Sequence, residues 1–168
     1  KIPHFEKMLY DQAQMISLYS KAYKIFKKDS YKDIAYNTIS FLQSKLSADN
    51  SLFFAAMDAD TDGEEGKYYS FNQEELEKIS GTTDFDLFTS YYNININNPW
   101  EDDKYLLLPN EYSLEEIWMR SKKISKNELE NFKGEWIKNI LEIKSKRTKP
   151  RIDDKIIISW NSLAIIGL

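Results

Sequence analysis

Apolar residues recur at helical spacing along the first part of the chain. At about 100° of rotation per residue, one arc of a helix collects these side chains: Phe5, Met8, Leu9, Met15, Ile16, Tyr19 and Tyr23. Pro3 suits the first helical position, because the N–H that proline lacks would have no partner there. The pattern predicts a helix over residues 5–28.

A second helical pattern follows a short polar break. Asp29 and Ser30 supply the break and an N-cap, and apolar residues then repeat at helical spacing over residues 30–47. Two helices joined by a short turn form a helical hairpin. We therefore expect these two helices to pack against each other.

Three polar residues, His4, Asp11 and Gln12, lie on or beside the apolar arc of the first helix, whereas Glu6 points away from it. His4 is the only histidine of the chain, and its i, i+7 spacing from Asp11 puts both on the inward side of the helix. Two interpretations are open. His4 is either a hydrogen-bonded core residue or an acid/base group that a carboxylate orients in a cleft.

The middle of the chain alternates short extended segments with short helices. Residues 52–57 and 67–71 predict two strands flanking an acidic, glycine-bearing loop, as in a β-hairpin. Residues 84–92 predict a short helix and residues 104–108 another strand. Three capping-box patterns also predict helix starts: Asn72 with Glu75, Ser113 with Glu116, and Ser125 with Glu128.

Helical patterns return toward the end of the chain. Pro150 stops the helix that begins after Ser125, and a final helix is expected after Asp153 and Asp154. Both ends of the chain look cut, so we expect a piece of a longer protein. The elements predict a mainly α fold of helical hairpins with a small β-hairpin insertion.

The amino-acid composition excludes several classes of function. The 168 residues can bury a core and normally form one domain. Their net charge of −4 gives no basic footprint for nucleic acid, and the absence of cysteine excludes thiol catalysis. No apolar run reaches the length of a membrane span and no signal peptide is visible, so the expected location is the cytoplasm, with no membrane partner.

The acidic loop matches the first half of a calcium-binding loop, with alternating carboxylates followed by a glycine: Asp58-Ala59-Asp60-Thr61-Asp62-Gly63. The second half does not match the pattern of an EF-hand loop. Tyr69 stands where the loop needs a bidentate glutamate, and Glu65 stands at a position that should be apolar. The flanks also look like strands instead of helices. We predict no metal site and no tight calcium binding here.

The acidic pair Asp153-Asp154, followed by Lys155, admits two interpretations. Carboxylates at a helix start can cap free N–H groups, and with Trp160 and Asn161 a turn later they also fit a polar pocket wall. Glycoside chemistry uses two carboxylates and aromatic platforms. The acids that could form such a pair are Asp58, Asp60, Glu65, Asp153 and Asp154.

Three motifs, in this order along the chain, resemble those of the YyaL / spermatogenesis-associated protein 20 family. They are His4-Phe5-Glu6-Lys7-Met8-Leu9-Tyr10-Asp11-Gln12-Ala13, then residues 56–69, then residues 150–155 with Ser159-Trp160-Asn161-Ser162-Leu163. The resemblance implies a thioredoxin-like domain followed by an (α/α) toroid similar to N-acylglucosamine 2-epimerases and six-hairpin glycosidases. Residues 1–168 would be a single partial domain of an (α/α)6-type barrel, without the thioredoxin-like domain and the later barrel helices.

This resemblance implies one wall of a carbohydrate-processing or carbohydrate-binding pocket, with a sugar epimerase or glycosidase-like activity in the full-length protein and no cofactor. The expected catalytic residues are His4, Asp11, Asp60, Asp153 and Asp154. The expected substrate-binding residues are Glu6, Gln12, Asp58, Glu65, Tyr69, Lys155, Trp160 and Asn161. Related epimerases use histidines as acid/base groups, so a second histidine would come from outside this chain.

A non-catalytic alternative is an α/α scaffold that binds a protein partner or the thioredoxin-like domain of its own chain. The expected partners are therefore a sugar ligand or the rest of the parent chain, and the oligomeric state is open. The two hypotheses differ in geometry, because an enzyme needs the three motifs to converge on one cleft.

Overall fold

The computed structural model describes residues 2, 4–49, 51–109 and 112–168, the last range without the side chains of residues 112–114. The chain forms two compact units, Lys1–Gly66 with Lys149–Leu168 and then Lys67–Thr148. The described residues contain seven α-helices and only two-residue strands, which confirms the mainly α class. The (α/α)6-type barrel and the single partial domain stay predictions.

Helices α1 (Leu9–Phe26) and α2 (Asp29–Phe41) form the predicted helical hairpin of the first unit. Helix α2 continues into one π-helical turn over Leu42–Leu46. The prediction that α1 begins at residue 5 is wrong, because Lys7 and Met8 are extended and hydrogen-bonded to another strand. Pro3 lies outside the described residues.

The last helix of the chain, which is numbered α7 (Ile158–Gly167), packs along α1. Gly167 lies so close to α1 that an added Cβ would meet the Ala13 carbonyl oxygen at 2.8 Å. Only glycine permits this approach of the two backbones. None of the helices in the described part of the chain is long and apolar enough to cross a membrane.

A three-stranded antiparallel sheet joins three distant segments of the first unit, β1 (Lys7–Met8), β2 (Ala56–Met57) and β7 (Ile152–Asp153). Strand β2 lies in the centre, where Met57 is opposite both Lys7 and Ile152. Extended backbone over Ile152–Asp153 delays the final helix, which therefore begins at Ile158 and not directly after Asp154.

The acidic loop is itself a hairpin. Strands β3 (Asp60–Thr61) and β4 (Glu64–Glu65) pair around Asp62 and Gly63, whose φ angles are +54° and +79°. Positive φ at both central residues is the signature of a type I′ turn, for which Asp-Gly is a preferred sequence. The predicted hairpin of residues 52–57 with 67–71 is wrong, because β2 pairs with β1 and β7 instead.

The core of the first unit lies between α1, the end of α2 and α7. Its buried members are Leu9, Ala13, Ile16, Leu42, Leu46, Met57 and Ala164. Four of the largest, Leu9, Ile16, Leu42 and Leu46, are fully shielded from solvent. Burial of such side chains contributes about 1.5–3 kcal/mol each, so this cluster fixes where α1 and α7 meet.

The second unit has strands β5 (Ser70–Phe71) and β6 (Tyr105–Leu106), which pair with each other. Its helices are α3 (Gln73–Ser80), α4 (Phe85–Tyr91), α5 (Tyr112–Lys122) and α6 (Lys126–Ser145). The capping boxes at Asn72 and Ser125 are confirmed, whereas the side chain of Ser113 lies outside the described residues.

Aromatic residues dominate the core of the second unit. The indole of Trp136 is fully buried and has ring contacts with four aromatic neighbours, Phe88, Tyr91, Tyr92 and Phe132. Its indole N–H donates to the Thr83 hydroxyl at 3.2 Å, which satisfies the one polar atom of the ring.

Arg147 ties the segment after α6 to the start of α3. Its Nη2 donates to both carboxylate oxygens of Glu75 at 2.7 Å, and its Nη1 donates to the carbonyl oxygens of Lys67, Tyr68 and Ser70. Glu75 is also the capping-box residue of α3, so one carboxylate serves two contacts.

We predict that Arg147→Met lowers the free energy of unfolding of the second unit by about 2–4 kcal/mol, because Glu75 and three carbonyl groups lose their donor. Urea denaturation followed by tryptophan fluorescence measures this change. The matched control is Lys146→Met, which removes an exposed ion pair with Glu142 and should cost less than about 1 kcal/mol. Equal losses in both variants would contradict the role given to Arg147.

Candidate functional site

The β1–β2–β7 sheet brings the three motifs together. Each of its strands comes from one motif: Lys7–Met8 from the first, Ala56–Met57 from the second, and Ile152–Asp153 from the third. Because the sheet is antiparallel, residues directly before β1 and β7 lie beside the residue directly after β2. The candidate site is therefore built around the two ends of this sheet.

One end of the sheet carries Glu6, Asp58 and Arg151. The backbone N–H of Asp58 donates to the Arg151 carbonyl oxygen at 2.8 Å, which extends the β2–β7 pairing by one step. His4 precedes this end, and its Nε2 lies 3.9 Å from a Glu6 carboxylate oxygen. The His4 side chain is 71% exposed, so this contact lies in solvent.

The helical phase that put His4 and Asp11 on one face does not apply. His4 precedes β1, and α1 begins only at Leu9. Asp11 is exposed in the first turn of α1, where a carboxylate suits the positive end of the helix dipole, and Gln12 beside it is half-buried. The pairing of His4 with Asp11 as acid/base and orienting group stays a prediction.

The other end of the sheet joins the start of α1 to β7. The Leu9 N–H donates to the Ala55 carbonyl oxygen at 2.8 Å, and the Ala55 N–H donates to the Asp153 carbonyl oxygen at 3.1 Å. The residues that follow Leu9 and Asp153, which are Tyr10 and Asp154, therefore leave the sheet at the same end. This end presents aromatic, acidic and basic side chains together.

Tyr10 and Trp160 form an edge-to-face pair with ring centroids 4.9 Å apart. Trp160 is half-buried, because one part of its indole packs on the core of the first unit. The sequence pattern does not single out Tyr10, because a helix phased from residue 5 turns this side chain away from the apolar arc. Its position between Leu9 and Asp11 in the first motif was the available signal.

Asp153 is held as a carboxylate by Lys155. The Lys155 ammonium lies 3.0 Å from Asp153 Oδ2, and the Lys155 backbone N–H donates to Oδ1 at 3.3 Å. These hydrogen bonds hold the pKa of the Asp153 carboxyl below its usual range. Asp153 is therefore suited to accept hydrogen bonds and not to act as a general acid. Asp154 beside it is exposed.

Asn161 is buried, and its side chain bridges backbone groups. Its Oδ1 accepts from the Phe53 N–H at 2.8 Å, and its Nδ2 donates to the carbonyl oxygens of Phe53 at 3.0 Å and Ile157 at 3.2 Å. Both amide hydrogens are thus used inside the fold. The contact with Phe53 fixes the chain just before β2 against α7, and the sugar-binding role of Asn161 stays a prediction.

Asp60 and Glu65 are opposite each other in the β3–β4 hairpin, and both are exposed. Like charges directly across a strand pair repel, and solvent screens this repulsion. Among the described residues, no group of three or more histidine, aspartate and glutamate side chains is arranged to hold a metal ion.

Tyr69 belongs to the second unit. Its ring has an edge-to-face contact with Tyr68, and the Lys144 ammonium lies 4.8 Å from its centroid. Burial raises the pKa of the Tyr69 hydroxyl to about 12, and the charge on an ionised Tyr68 acts in the same direction. Tyr69 is therefore protonated at neutral pH and can donate a hydrogen bond.

We predict that Asn161→Asp destabilises the first unit by about 3–5 kcal/mol at pH 7, because a buried carboxylate would face carbonyl oxygens that have lost their donors. Burial would raise the pKa of the new carboxyl above its unfolded value of about 3.9, so the deficit should shrink as the pH falls toward that value. Thermal melts at pH 4 and pH 7 test this, with Ser162→Ala as the exposed control. An unchanged melting temperature at pH 7 would refute the bridging role.

Comparison with known proteins agrees with the motif assignment. Human spermatogenesis-associated protein 20 is 30% identical over 190 residues, which cover 99% of this chain, and the mouse protein of the same name is 28% identical. An uncharacterized protein of Caenorhabditis elegans is 31% identical over 189 residues. No family model matches the chain.

The chain spans about a quarter of the length of these relatives, 24% of the human protein and 26% of the nematode protein. The similarity runs through all three motifs, since it covers 99% of the chain. We conclude that this chain belongs to the spermatogenesis-associated protein 20 family.

Proposed function

We propose that this part of the protein forms one wall of a carbohydrate-binding pocket, and that the full-length protein processes a sugar there. The observation that supports the proposal is the convergence of the three motifs on the β1–β2–β7 sheet. A scaffold that needed each motif only for local stability would not require segments so distant in sequence to share one sheet.

The end of the sheet near Tyr10 supplies the side chains that sugar recognition needs. Trp160 is partly exposed, so its indole can contact the C–H groups of a sugar ring, and Tyr10 lies in edge-to-face contact with it. Asp153 stays ionised beside Lys155 and can accept hydrogen bonds from hydroxyl groups, while exposed Asp11 and Asp154 supply further acceptors.

His4, which lies at the end of the sheet opposite to Tyr10, would be the residue that transfers a proton. Its exposed imidazole has two ring nitrogens that can donate or accept a hydrogen bond, which suits an acid/base group. An epimerase needs groups on both sides of the reacting carbon, so the second acid/base would come from residues outside this chain. We therefore expect this chain alone to bind sugar without turning it over.

The second candidate is a non-catalytic α/α scaffold that binds protein. The specific observation that favours it is the outer face of α7, where large isoleucines are exposed. Sugar binding at the sheet separates the two candidates, because the scaffold does not need it.

The test is titration with N-acetyl-D-glucosamine and N-acetyl-D-mannosamine, followed by saturation-transfer difference NMR. We expect saturable binding that weakens at least about tenfold in Asp11→Asn and His4→Asn, because strands of two residues rise only about 7 Å, so one sugar can contact side chains at both ends of the sheet. Both side chains are exposed, so the melting temperature should stay nearly unchanged.

The matched control is Asp33→Asn, an equally exposed carboxylate on α2, which should leave the binding unchanged. Absence of saturable binding by either sugar, or equal binding by all three variants, would refute the pocket and favour the scaffold. Loss of melting temperature together with binding would show that His4 and Asp11 are structural.

A further inference from the structure

The turn between α1 and α2 carries two large apolar side chains in contact with solvent. Ile25 is 72% exposed and Phe26 is 60% exposed, and these are the last two residues of α1. Because neighbouring residues of a helix point about 100° apart, the two side chains cover the end of α1 and not one of its sides. We call this end of the helical hairpin, residues 21–33, the hairpin tip.

Aromatic rings from both helices support the apolar part of the hairpin tip. The ring centroid of Phe26 lies 6.1 Å from that of Tyr31 on α2, which lies 5.8 Å from that of Tyr19 on α1. Both tyrosines are half-buried. Tyrosine is enriched at the interface between a membrane and water, because its ring is apolar and its hydroxyl stays wet. The exposed Phe26 ring therefore has beside it residues that suit a boundary between apolar and aqueous surroundings.

Lysines surround the two apolar side chains. Lys24 precedes them, Lys27 and Lys28 follow them, and all three lysines are exposed. Residues 21–33 contain five lysines and two aspartates, whereas the whole chain has a net charge of −4. The hairpin tip is therefore a positive region of a negatively charged chain, and it attracts a negatively charged partner.

The backbone of the hairpin tip is held by its own hydrogen bonds. Lys27 has a φ angle of +54°, and its N–H donates to the Tyr23 carbonyl oxygen at 2.9 Å, which closes the last turn of α1. The Tyr31 N–H donates to the Lys28 carbonyl oxygen at 3.0 Å in the first turn of α2. A turn that is already ordered loses little conformational entropy when it binds a partner. The hairpin tip is therefore a preorganised surface.

Anionic lipid headgroups match this combination of side chains. Apolar side chains at the end of a helical hairpin can enter the boundary between headgroups and acyl chains, while lysines around them contact phosphate groups. A nucleic-acid backbone would attract the lysines but would leave Ile25 and Phe26 in water. An acidic protein would need an apolar pocket shaped to receive both side chains, whereas a lipid surface accepts them without a fitted shape.

We propose that the hairpin tip binds the surface of a membrane that contains anionic lipids, with Ile25 and Phe26 inserted and the lysines at the headgroups. This proposal departs from the expectation of no membrane partner, which considered spanning segments that a peripheral contact does not need. Helix α1 has 18 residues and is about 27 Å long, so the hairpin tip lies far from the sheet at the other end of α1. The proposal therefore holds for either candidate function of the sheet site.

The test is co-sedimentation of the chain with vesicles made of equal parts phosphatidylglycerol and phosphatidylcholine. We expect binding that is at least about tenfold weaker to pure phosphatidylcholine, and weaker in about 1 M salt, where the Debye length is about 3 Å. Two double variants should each weaken binding to the mixed vesicles at least about tenfold. They are Ile25→Ser with Phe26→Ser, and Lys27→Glu with Lys28→Glu.

The matched control is Lys122→Glu with Lys123→Glu at the end of α5, where both lysines are exposed. Lys123 directly follows the last residue of α5 with a φ angle of +57°, as Lys27 directly follows the last residue of α1. The control has the same net charge as Lys27→Glu with Lys28→Glu, and its binding should stay within about twofold of wild type. Equal weakening in both charge variants, or no binding of wild type to the mixed vesicles, would overturn the proposal.

Insertion of the apolar side chains is measured separately. The chain has no cysteine, so Ile25→Cys can be labelled at a single site with a polarity-sensitive nitrobenzoxadiazole dye. We expect brighter, blue-shifted emission when the mixed vesicles are added, and no change from labelled Ile137→Cys on α6, where the isoleucine is 53% exposed. Vesicle binding without a blue shift at residue 25 would overturn the proposal. The melting temperatures of all variants should stay near that of wild type, because the replaced side chains are exposed.

Two other outcomes would assign the hairpin tip to a different partner and so also overturn the proposal. Saturable binding to poly-L-glutamate that both double variants of the hairpin tip abolish, without vesicle binding, would assign it to an acidic protein segment. Sedimentation velocity that shows a dimer of wild type and a monomer of Ile25→Ser with Phe26→Ser, without vesicle binding, would assign it to a second copy of this chain.

Discussion

Backbone hydrogen bonds on both edges of β2 hold together three segments that are far apart in the chain. Met57 lies opposite Lys7 on one side and Ile152 on the other, and further bonds from Leu9 to Ala55 and from Ala55 to Asp153 continue this pairing. Each strand has only two paired residues, and so short a sheet has little stability of its own. The helices on its flanks must therefore hold it in place.

The helices hold the sheet in place through the core of the first unit and through the side chain of Asn161. Leu9 and Ala164 pack in one buried cluster with Met57, so the side chains of α1, α7 and β2 share a single core. Asn161 binds both backbone groups of Phe53, three residues before β2, and thereby connects α7 to the strand directly. The position of Trp160 beside Tyr10 follows from these two constraints, because both rings belong to residues next to buried ones.

Local signals in the sequence predicted local structure well. The capping boxes at Asn72 and Ser125 and the helical hairpin of α1 and α2 depend on residues within a few positions of each other, and all three are confirmed. The Asp62-Gly63 pair is also a local signal, for a type I′ turn, although the alternating carboxylates around it match the first half of a calcium loop.

The sequence did not predict the pairing of strands that are far apart in the chain. Nothing in Lys7 and Met8 predicts that they leave the helical pattern, since their extended backbone depends on a partner strand about fifty residues later. The β1–β2 pairing also leaves His4 outside the helix, and the β2–β7 pairing keeps Ile152–Asp153 extended, so α7 begins only at Ile158. The motifs indicated which segments belong together, but only the strand pairing shows how these segments are arranged.

The convergence of the motifs can be measured directly by NMR on the isotopically labelled chain. Antiparallel pairing brings the Cα atoms of opposite residues to about 4.5–5.5 Å. We expect cross-strand nuclear Overhauser effects from Ala56 and Met57 to both Lys7–Met8 and Ile152–Asp153. Effects to only one of these strands, or to neither, would contradict the claim that the three motifs form one site.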